Sequence, residues 1–147
     1  MKTFVCRVCG HVAFEQAPVD CPVCKAPIEN FDNNPEAIHM PEDPENLTEM
    51  EKKHIPVITI SKECKLITGG ECIDVHVKVG EIEHVMESEH YISFIDFYIN
   101  KRYLARFNLR YKRLHPAFAL CLNVDGGLLT VIDCCSVNGS WMAEVNF

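Results

Sequence analysis

Four cysteines near the start of the chain constrain its fold more than any other feature of the sequence. Cys6 and Cys9 form one C-x-x-C pair followed by glycine, and Cys21 and Cys24 form a second pair with proline after its first cysteine. Each C-x-x-C turn directs two thiolates at one point, and two facing turns complete a tetrahedral four-sulfur site. Because residues 1–31 are too few to bury a useful core, the sequence predicts that a bound metal ion stabilises their fold.

The composition is that of a globular protein with a small module and one compact domain. The chain has 147 residues, of which 48% are hydrophobic and 24% are charged. No stretch resembles a signal peptide or a membrane span, so we expect a cytoplasmic location and no membrane partner. The net charge of −7 argues against nucleic acid as a partner. Nine cysteines, an odd number, suit metal binding in a reducing compartment better than a secreted disulfide framework.

The sequence divides into three stretches. Residues 1–31 are the predicted metal module, and residues 32–50 are acidic, contain three prolines and are predicted to form a solvated linker with a helical turn at 45–50. Residues 51–147 form the predicted β domain.

Strand patterns fill this last stretch. In residues 73–79 apolar and polar residues alternate with the period of two that indicates a half-buried strand. Turn-forming residues separate the predicted strands, which cover 56–60, 73–79, 91–99, 102–109, 117–124, 128–133 and, as a last edge strand, 141–145. Seven short strands with close turns predict a mainly β chain with an antiparallel β-sandwich.

The metal module resembles the rubredoxin-like module of rubrerythrins. The resemblance is carried by CRVCG and by APVDCPVCKAPIENF. It implies one iron ion bound by four cysteine thiolates and acting as a one-electron relay. The same spacing serves structural zinc, so iron and a zinc ribbon both stay open for this site.

Three histidines and a late cysteine are candidates for a second metal site. His54 lies in MEKKHIPVI, and His84 and His90 lie in VKVGEIEHVMESEH. Two histidines on one loop between strands can wrap a metal ion, and residues from distant segments could complete the site at the open end of the sandwich. A single histidine is more often a surface or core residue, so this prediction depends on the residues acting together.

Residues 49–147 resemble the catalytic domain of desulfoferrodoxin and other superoxide reductases. The resemblance is carried by MEKKHIPVI, VKVGEIEHVMESEHYISFI and CSVNGSW. It implies an immunoglobulin-like β-sandwich with one mononuclear iron, bound by four histidines and an axial cysteine thiolate, with the sixth position left for substrate. His54, His84, His90 and Cys135 fall on four of these five ligand positions.

The resemblance also implies an activity, the one-electron reduction of superoxide to hydrogen peroxide. A lysine beside the first histidine is expected to attract superoxide and help deliver a proton; Lys52 and Lys53 both match it, and Glu51 matches the neighbouring glutamate. The N-terminal iron or an external rubredoxin-type donor would supply the electron, and we expect a homodimer.

Asn138 departs from the family pattern, because the family's C-N-L-H motif supplies a fourth histidine at this position. An amide oxygen is a harder and weaker donor to Fe(II) than imidazole. Three outcomes stay open: a site completed by Asn138 or water, a substitute ligand in His76 or His115, or a degenerate site. The last would make the chain a catalytically inactive metal-binding or electron-transfer protein.

The remaining cysteines have no metal-like spacing. They are Cys64, Cys72, Cys121 and Cys134. Cys72 and Cys121 lie in strand patterns and are predicted to be small core residues. Cys134 is predicted to point away from Cys135, because neighbouring strand residues face opposite sides.

Overall fold

The computed structural model describes residues 1–70 and 72–147, and it confirms the predicted mainly β fold with a small N-terminal module. Among these residues no helix is long and apolar enough to cross a membrane. The elements are β1 (Thr3–Cys6), β2 (Val12–Phe14), a 3-10 turn (Ile28–Asn30), β3 (Phe31–Asn33), β4 (Ile38–His39), α1 (Glu49–His54), β5 (Pro56–Ser61), β6 (Ile73–Val79), β7 (Ile92–Ile99), β8 (Arg102–Asn108), β9 (Ala117–Leu122), β10 (Leu128–Cys135) and β11 (Gly139–Asn146).

Two sheets form the sandwich. One has the strand order β4-β11-β10-β7-β8, and the other has the order β5-β6-β9. The alternation in β6 works as the sequence predicted, because Val75 and Val79 are fully buried between the sheets while His76 faces outward. Burial of each such valine stabilises the fold by roughly 1.5–3 kcal/mol. All seven strands predicted for this domain are present, with ends shifted by a few residues.

The edge of the larger sheet differs from the prediction. Ser140 and Trp141 of β11 pair in parallel with Ile38 and His39 of β4, so β11 lies inside the sheet and its prediction as an edge strand is wrong. A two-residue strand is too short to produce a periodic pattern. Part of the segment predicted to be a solvated linker therefore completes the sheet.

The N-terminal module packs on the outer face of the larger sheet. Its own sheet has the order β2-β1-β3. Val12 and Phe14 of this module share a hydrophobic cluster with Tyr98, Ile132 and Met142 of the sandwich. The Tyr98 hydroxyl donates a hydrogen bond to the Val12 carbonyl at 2.8 Å. The module and the sandwich therefore share one buried cluster.

Arg106 adds a polar contact at the same junction. Its guanidinium donates two hydrogen bonds to the Asp96 carboxylate, at 2.6 and 2.7 Å, and a third to the carbonyl of Cys9 at 2.7 Å. It also lies 3.5 Å from the centre of the Phe94 ring. The Arg106 and Asp96 side chains are only 5% and 1% exposed, so this ion pair is buried.

Two of the remaining cysteines are not core residues, and that prediction is wrong. Cys121 is exposed, and Cys72 is half-buried in a disulfide with Cys64. Their strand-like neighbourhood gave no sign of this, because disulfide pairing leaves no periodic pattern in the sequence. Cys134 is half-buried and lies outside the cluster that contains Cys135.

Candidate metal centres

The four N-terminal cysteines converge on one point. The Sγ atoms of Cys6, Cys9, Cys21 and Cys24 all lie within 4.8 Å of one another. Cys6 and Cys24 are separated by 3.6 Å, and so are Cys9 and Cys21. A tetrahedral site with metal–sulfur bonds of about 2.3 Å needs sulfurs about 3.8 Å apart. The cluster therefore fits a four-sulfur metal site.

The two C-x-x-C turns have the same local geometry. The N–H of Gly10 donates to the carbonyl of Cys6 at 2.8 Å, and the N–H of Lys25 donates to that of Cys21 at 2.9 Å. Gly10 and Lys25 both have positive φ, 74° and 66°. Glycine adopts this conformation without steric cost, which explains its place after the first pair. Two repeated turns thus aim two thiols each at a common point.

The local surroundings shift the pKa of Cys9, Cys21 and Cys24 before any metal binds. The backbone N–H of Ala26 lowers the pKa of the Cys24 thiol to about 7. Burial raises the pKa of Cys9 and of Cys21 above the usual thiol range. Thiolates are the metal-binding form, so loading of this site releases protons.

A second cluster lies at one end of the sandwich. It contains one ligand atom from each of four residues, and these atoms all lie within 4.8 Å of one another: His54, His84, His90 and Cys135. His54 ends α1, His84 and His90 lie between β6 and β7, and Cys135 ends β10. The structure thus brings together the four candidate ligands that the sequence placed in three separate blocks.

Two of the imidazoles are held in the tautomer that binds metals through Nε2. Nδ1 of His54 lies 2.8 Å from the Met50 carbonyl, and Nδ1 of His84 lies 2.6 Å from the Val85 carbonyl. A carbonyl only accepts, so each Nδ1 carries the hydrogen and each Nε2 is left with a free lone pair. Among the described residues, neither Nε2 has a hydrogen-bond partner, although both are buried. The two orphaned nitrogens fit a metal ion that the cluster would hold.

Burial also keeps these imidazoles neutral. It lowers the pKa of His54, and it lowers the pKa of His84 to about 4. The hydrogen bonds to backbone carbonyls oppose this effect without cancelling it. At neutral pH both rings are therefore in the neutral form that binds metal ions.

Cys135 is the sulfur member of the cluster and is 3% exposed. Its Sγ lies 3.2 Å from Nε2 of His90 and accepts a hydrogen bond from the backbone N–H of Asn138 at 3.4 Å. The side-chain Oδ1 of Asn138 lies 3.7 Å from the same sulfur. The asparagine is thus beside the site, where the sequence placed it.

Close backbone packing holds α1 against the histidine loop. The N–H of Gly80 donates to the Ile55 carbonyl at 3.2 Å, and the N–H of Ile82 donates to the Lys52 carbonyl at 3.0 Å. Gly80 has φ of 81°, and a Cβ there would lie 2.7 Å from the carbonyl oxygen of Lys53. Only glycine allows this approach, which sets His84 beside His54.

The charged residues before His54 have different surroundings. The Glu51 carboxylate accepts hydrogen bonds from the backbone N–H groups of Thr48 and Glu42, at 2.7 and 3.3 Å. Lys52 Nζ lies 3.6 Å from the Glu49 carboxylate, and Lys53 is exposed. The carboxylate of Glu51 is therefore engaged in holding the start of α1, and the catalytic roles predicted for these residues stay predictions.

The two histidines considered as substitutes lie elsewhere. His76 is exposed and pairs with Asp74 at 3.0 Å, while His115 is exposed and pairs with Glu83. Neither belongs to the His/Cys cluster. His115 lines a cavity of about 420 Å³ that adjoins His84 and also includes Lys112 and Arg113.

Trp141 and His39 are neighbours of the cluster whose position the sequence did not indicate. The Trp141 ring stacks on His54 at a centroid distance of 4.8 Å and lies 4.7 Å from the ring of His39. Its Nε1–H donates to the Asn138 carbonyl at 3.2 Å. His39 reaches this place only through the parallel pairing of β4, for which the sequence carries no pattern.

Comparisons with known proteins match both parts of the chain. A family model described as desulfoferrodoxin matches residues 46–144, and one described as rubrerythrin, rubredoxin-like domain, matches residues 4–32. A putative superoxide reductase of Methanocaldococcus jannaschii is 30% identical over 103 residues, which cover 66% of this chain and 84% of that protein.

Solved structures have a similar fold. The superoxide reductase from Nanoarchaeum equitans is 28% identical, with a TM-score of 0.56 over 68% of this chain and 97% of that one. A superoxide reductase (neelaredoxin) from Ignicoccus hospitalis is 24% identical, with a TM-score of 0.61 over 76% of this chain and 94% of that one. At 24% identity, the similarity to the Ignicoccus hospitalis protein shows a shared fold alone.

Proposed function

Because the chain belongs to the desulfoferrodoxin family, we propose that it is a superoxide reductase. The observation that carries this proposal is the cluster of three imidazoles and one thiol at the end of the sandwich, with two buried Nε2 atoms left free. The reaction adds one electron and two protons to superoxide and yields hydrogen peroxide. The relatives are named superoxide reductases, which does not favour the catalytically inactive alternative.

Iron is the metal that we propose for the His/Cys site. Imidazole and thiolate donors suit Fe(II), and bound iron would supply the electron together with an open position for superoxide. The protein holds His54 and His84 as neutral Nε2 donors through the carbonyls of Met50 and Val85. Such outer hydrogen bonds orient metal ligands and raise their basicity. The backbone N–H of Asn138 helps to orient the Cys135 sulfur in the same way.

Lys52 and Lys53 are the residues that we propose for attracting superoxide and supplying a proton. Both ammonium groups belong to the last turn of α1, next to His54. A positive charge near a cleft raises the local concentration of a small anion. Glu51 would act as a positioning residue, because its carboxylate holds the helix that carries His54.

The four-cysteine site is the proposed electron relay. Iron in this site would pass one electron at a time, and a rubredoxin-type protein is the proposed external donor. The match to a rubredoxin-like domain supports the assignment of iron to this site. A homodimer and a cytoplasmic location complete the proposal, the latter because clustered free thiols suit a reducing compartment.

Rapid mixing with superoxide tests this function. We expect the reduced, iron-loaded protein to consume superoxide faster than buffer does and to yield one hydrogen peroxide per superoxide, without oxygen release. His84→Ala removes one proposed ligand and should lower the rate more than about tenfold. His76→Ala is the matched control, because His76 is exposed on the outer face of β6 and pairs with Asp74.

The proposal fails if superoxide decays no faster with the protein than in buffer. It also fails if His84→Ala and His76→Ala have equal effects.

Visible absorption of the purified protein tests the metals separately, because protein that binds only zinc would be colourless.

A further inference from the structure

A third cluster of cysteines lies outside both metal centres. Cys64 and Cys72 form a disulfide, and the free thiol of Cys121 lies 3.7 Å from the sulfur of Cys64. The three sulfurs lie within 4.8 Å of one another. Cys121 is exposed on β9, so solvent and small thiols reach it directly. The proposed reaction does not use these residues.

This cluster is remote from the His/Cys site. Cys72 directly precedes β6, whereas Gly80, which bonds to Ile55 beside α1, directly follows that strand. A seven-residue strand is about 20 Å long. The cysteines therefore lie at the opposite end of the sandwich from His54 and are not accessory ligands of that site.

We propose that Cys64, Cys72 and Cys121 form a thiol–disulfide redox site that hydrogen peroxide oxidises and that thiols reduce. In the oxidation, two thiols and one hydrogen peroxide give one disulfide and two waters. The attacking thiolate first becomes a sulfenic acid, and the second thiol then displaces water from it. The product is the Cys64–Cys72 disulfide, with Cys121 left as a thiol.

Cys121 is the exchange thiol of this site. After losing its proton, its sulfur attacks Cys64, a Cys64–Cys121 bond forms, and Cys72 leaves as a thiolate that takes up a proton. No net oxidation occurs in this step. The third sulfur is already within contact distance, so the exchange needs only local movement. The disulfide thus alternates between two positions. The Cys64–Cys72 bond lies within the loop before β6, and the Cys64–Cys121 bond joins that loop to β9.

A cavity gives an incoming thiol room to react. It measures about 420 Å³ and is lined by Cys72, Cys121, Ile67, Thr68 and Leu122. An accessible disulfide beside a free thiol has the features of labile, regulatory disulfides rather than of buried structural ones. Glutathione is the thiol that we use to test whether this disulfide is reduced.

The choice of oxidant rests on the proposed function, since hydrogen peroxide is the product of superoxide reduction. The test therefore adds hydrogen peroxide directly to the metal-loaded, full-length protein. Failure of the redox site and failure of superoxide reduction then give separate results.

Peptide mapping after blocking of free thiols detects each disulfide. Trypsin cleaves after Lys62 and Lys65, which places Cys64 in a three-residue peptide and Cys72 in the next one. Cleavage before Asp125 then separates Cys121 from the later cysteines. Masses of the linked peptides distinguish the Cys64–Cys72 bond from the Cys64–Cys121 bond.

The wild-type protein should yield both linked pairs after one equivalent of hydrogen peroxide, and glutathione should remove them. Cys121→Ser should yield only the Cys64–Cys72 pair. Cys72→Ser should yield the Cys64–Cys121 pair in most molecules, because no competing partner is left. The double variant Cys72→Ser/Cys121→Ser is the matched control and should leave Cys64 unlinked.

The proposal is overturned if Cys64 stays a free thiol in the peroxide-treated wild type. It is equally overturned if Cys72→Ser leaves Cys64 and Cys121 unlinked, or if glutathione does not reduce the wild-type disulfide.

Discussion

Two imidazole nitrogens, Nε2 of His54 and Nε2 of His84, are buried with no hydrogen-bond partner in the described part of the chain. A buried polar atom left without a partner costs about 1–3 kcal/mol. The fold tolerates this cost at the place where the two nitrogens meet His90 and Cys135. A bound metal ion would remove this cost. The fold therefore holds the ligand atoms in place before a metal ion binds.

Asp133 is a second residue with an unsatisfied side chain. Its carboxyl oxygens have no partner among the described residues, and it lies two positions before Cys135 on β10. Burial raises the pKa of this carboxyl well above its usual range, because burial disfavours the charged form. The neutral form places no negative charge near the Cys135 sulfur.

The raised pKa of Asp133 predicts a pH-dependent stability. Between the ordinary aspartate pKa of about 4 and the raised pKa of the folded state, the folded protein holds a proton that the unfolded state has lost, so the free energy of unfolding decreases as pH rises. Asp133→Asn removes this dependence. We expect its stability relative to wild type to increase between pH 5 and pH 8, by at most about 1.4 kcal/mol per pH unit, measured by urea unfolding.

The exposed carboxylate of Asp125 supplies the control for that experiment. Asp125→Asn should show no comparable change of relative stability with pH. A difference between Asp133→Asn and wild type that stayed constant from pH 5 to pH 8 would contradict the prediction.

At the scale of the elements, α1 is short but carries a proposed metal ligand, His54. A helix of six residues is not stable alone. The Thr48 hydroxyl accepts a hydrogen bond from the Glu51 N–H at 3.2 Å, while the Glu51 carboxylate accepts one from the Thr48 N–H. This capping box fixes the start of the helix, and His54 forms its end. The cap therefore helps to position a proposed metal ligand.

Thr48→Ala should destabilise α1 because the Glu51 N–H loses its acceptor. We expect a loss of about 1 kcal/mol and a Tm lower by about 3 °C, measured by calorimetry. Metal affinity should fall at the His/Cys site and stay unchanged at the four-cysteine site. Thr48→Ser keeps the hydroxyl and should behave like wild type, whereas equal losses in both variants would refute the cap's role.

The sequence predicted most strands of the sandwich, β6 from its alternation and the others from strand-like runs between turn-forming residues. It did not predict β4, since two residues carry no period, and it placed a helical turn at 45–50 where α1 covers Glu49–His54. The T-x-x-E pattern at Thr48 could have located that helix. Resemblance assigned the four His/Cys residues as ligands, and that assignment stays a prediction. Spacing alone does not join segments that meet only in the fold. The cysteine cluster at Cys121 stayed hidden for the same reason.

At the scale of the whole molecule, a buried junction joins the module and the sandwich. Arg106 and Asp96 form an ion pair there, and Arg106 also binds the carbonyl of Cys9, a member of the four-cysteine site. Gly10 contributes to the same fit, since a Cβ at this position would lie 3.4 Å from the Phe94 ring. Phe94 pairs with Cys134, the neighbour of Cys135. A short series of contacts thus runs from one metal centre to the next.

Arg106→Met should weaken this junction because the buried Asp96 carboxylate loses both hydrogen bonds from the guanidinium. Loss of one member of a buried pair costs about 3–5 kcal/mol. We expect faster hydrogen exchange in β1 and β2, measured by mass spectrometry, with little change in β5 and β6. The double variant Arg106→Met/Asp96→Asn removes both charges and should lose less stability. Equal losses in the two variants would show that the unpaired carboxylate is not the cause.

The shared cluster around Tyr98 has a kinetic consequence. Two metal centres on separate, freely moving domains would meet at a frequency set by a linker, whereas here the packing of Val12 and Phe14 on the sheet fixes their separation. The effective concentration of one centre at the other is therefore constant. An electron that passes between them would do so in a first-order step whose rate does not change when the protein is diluted.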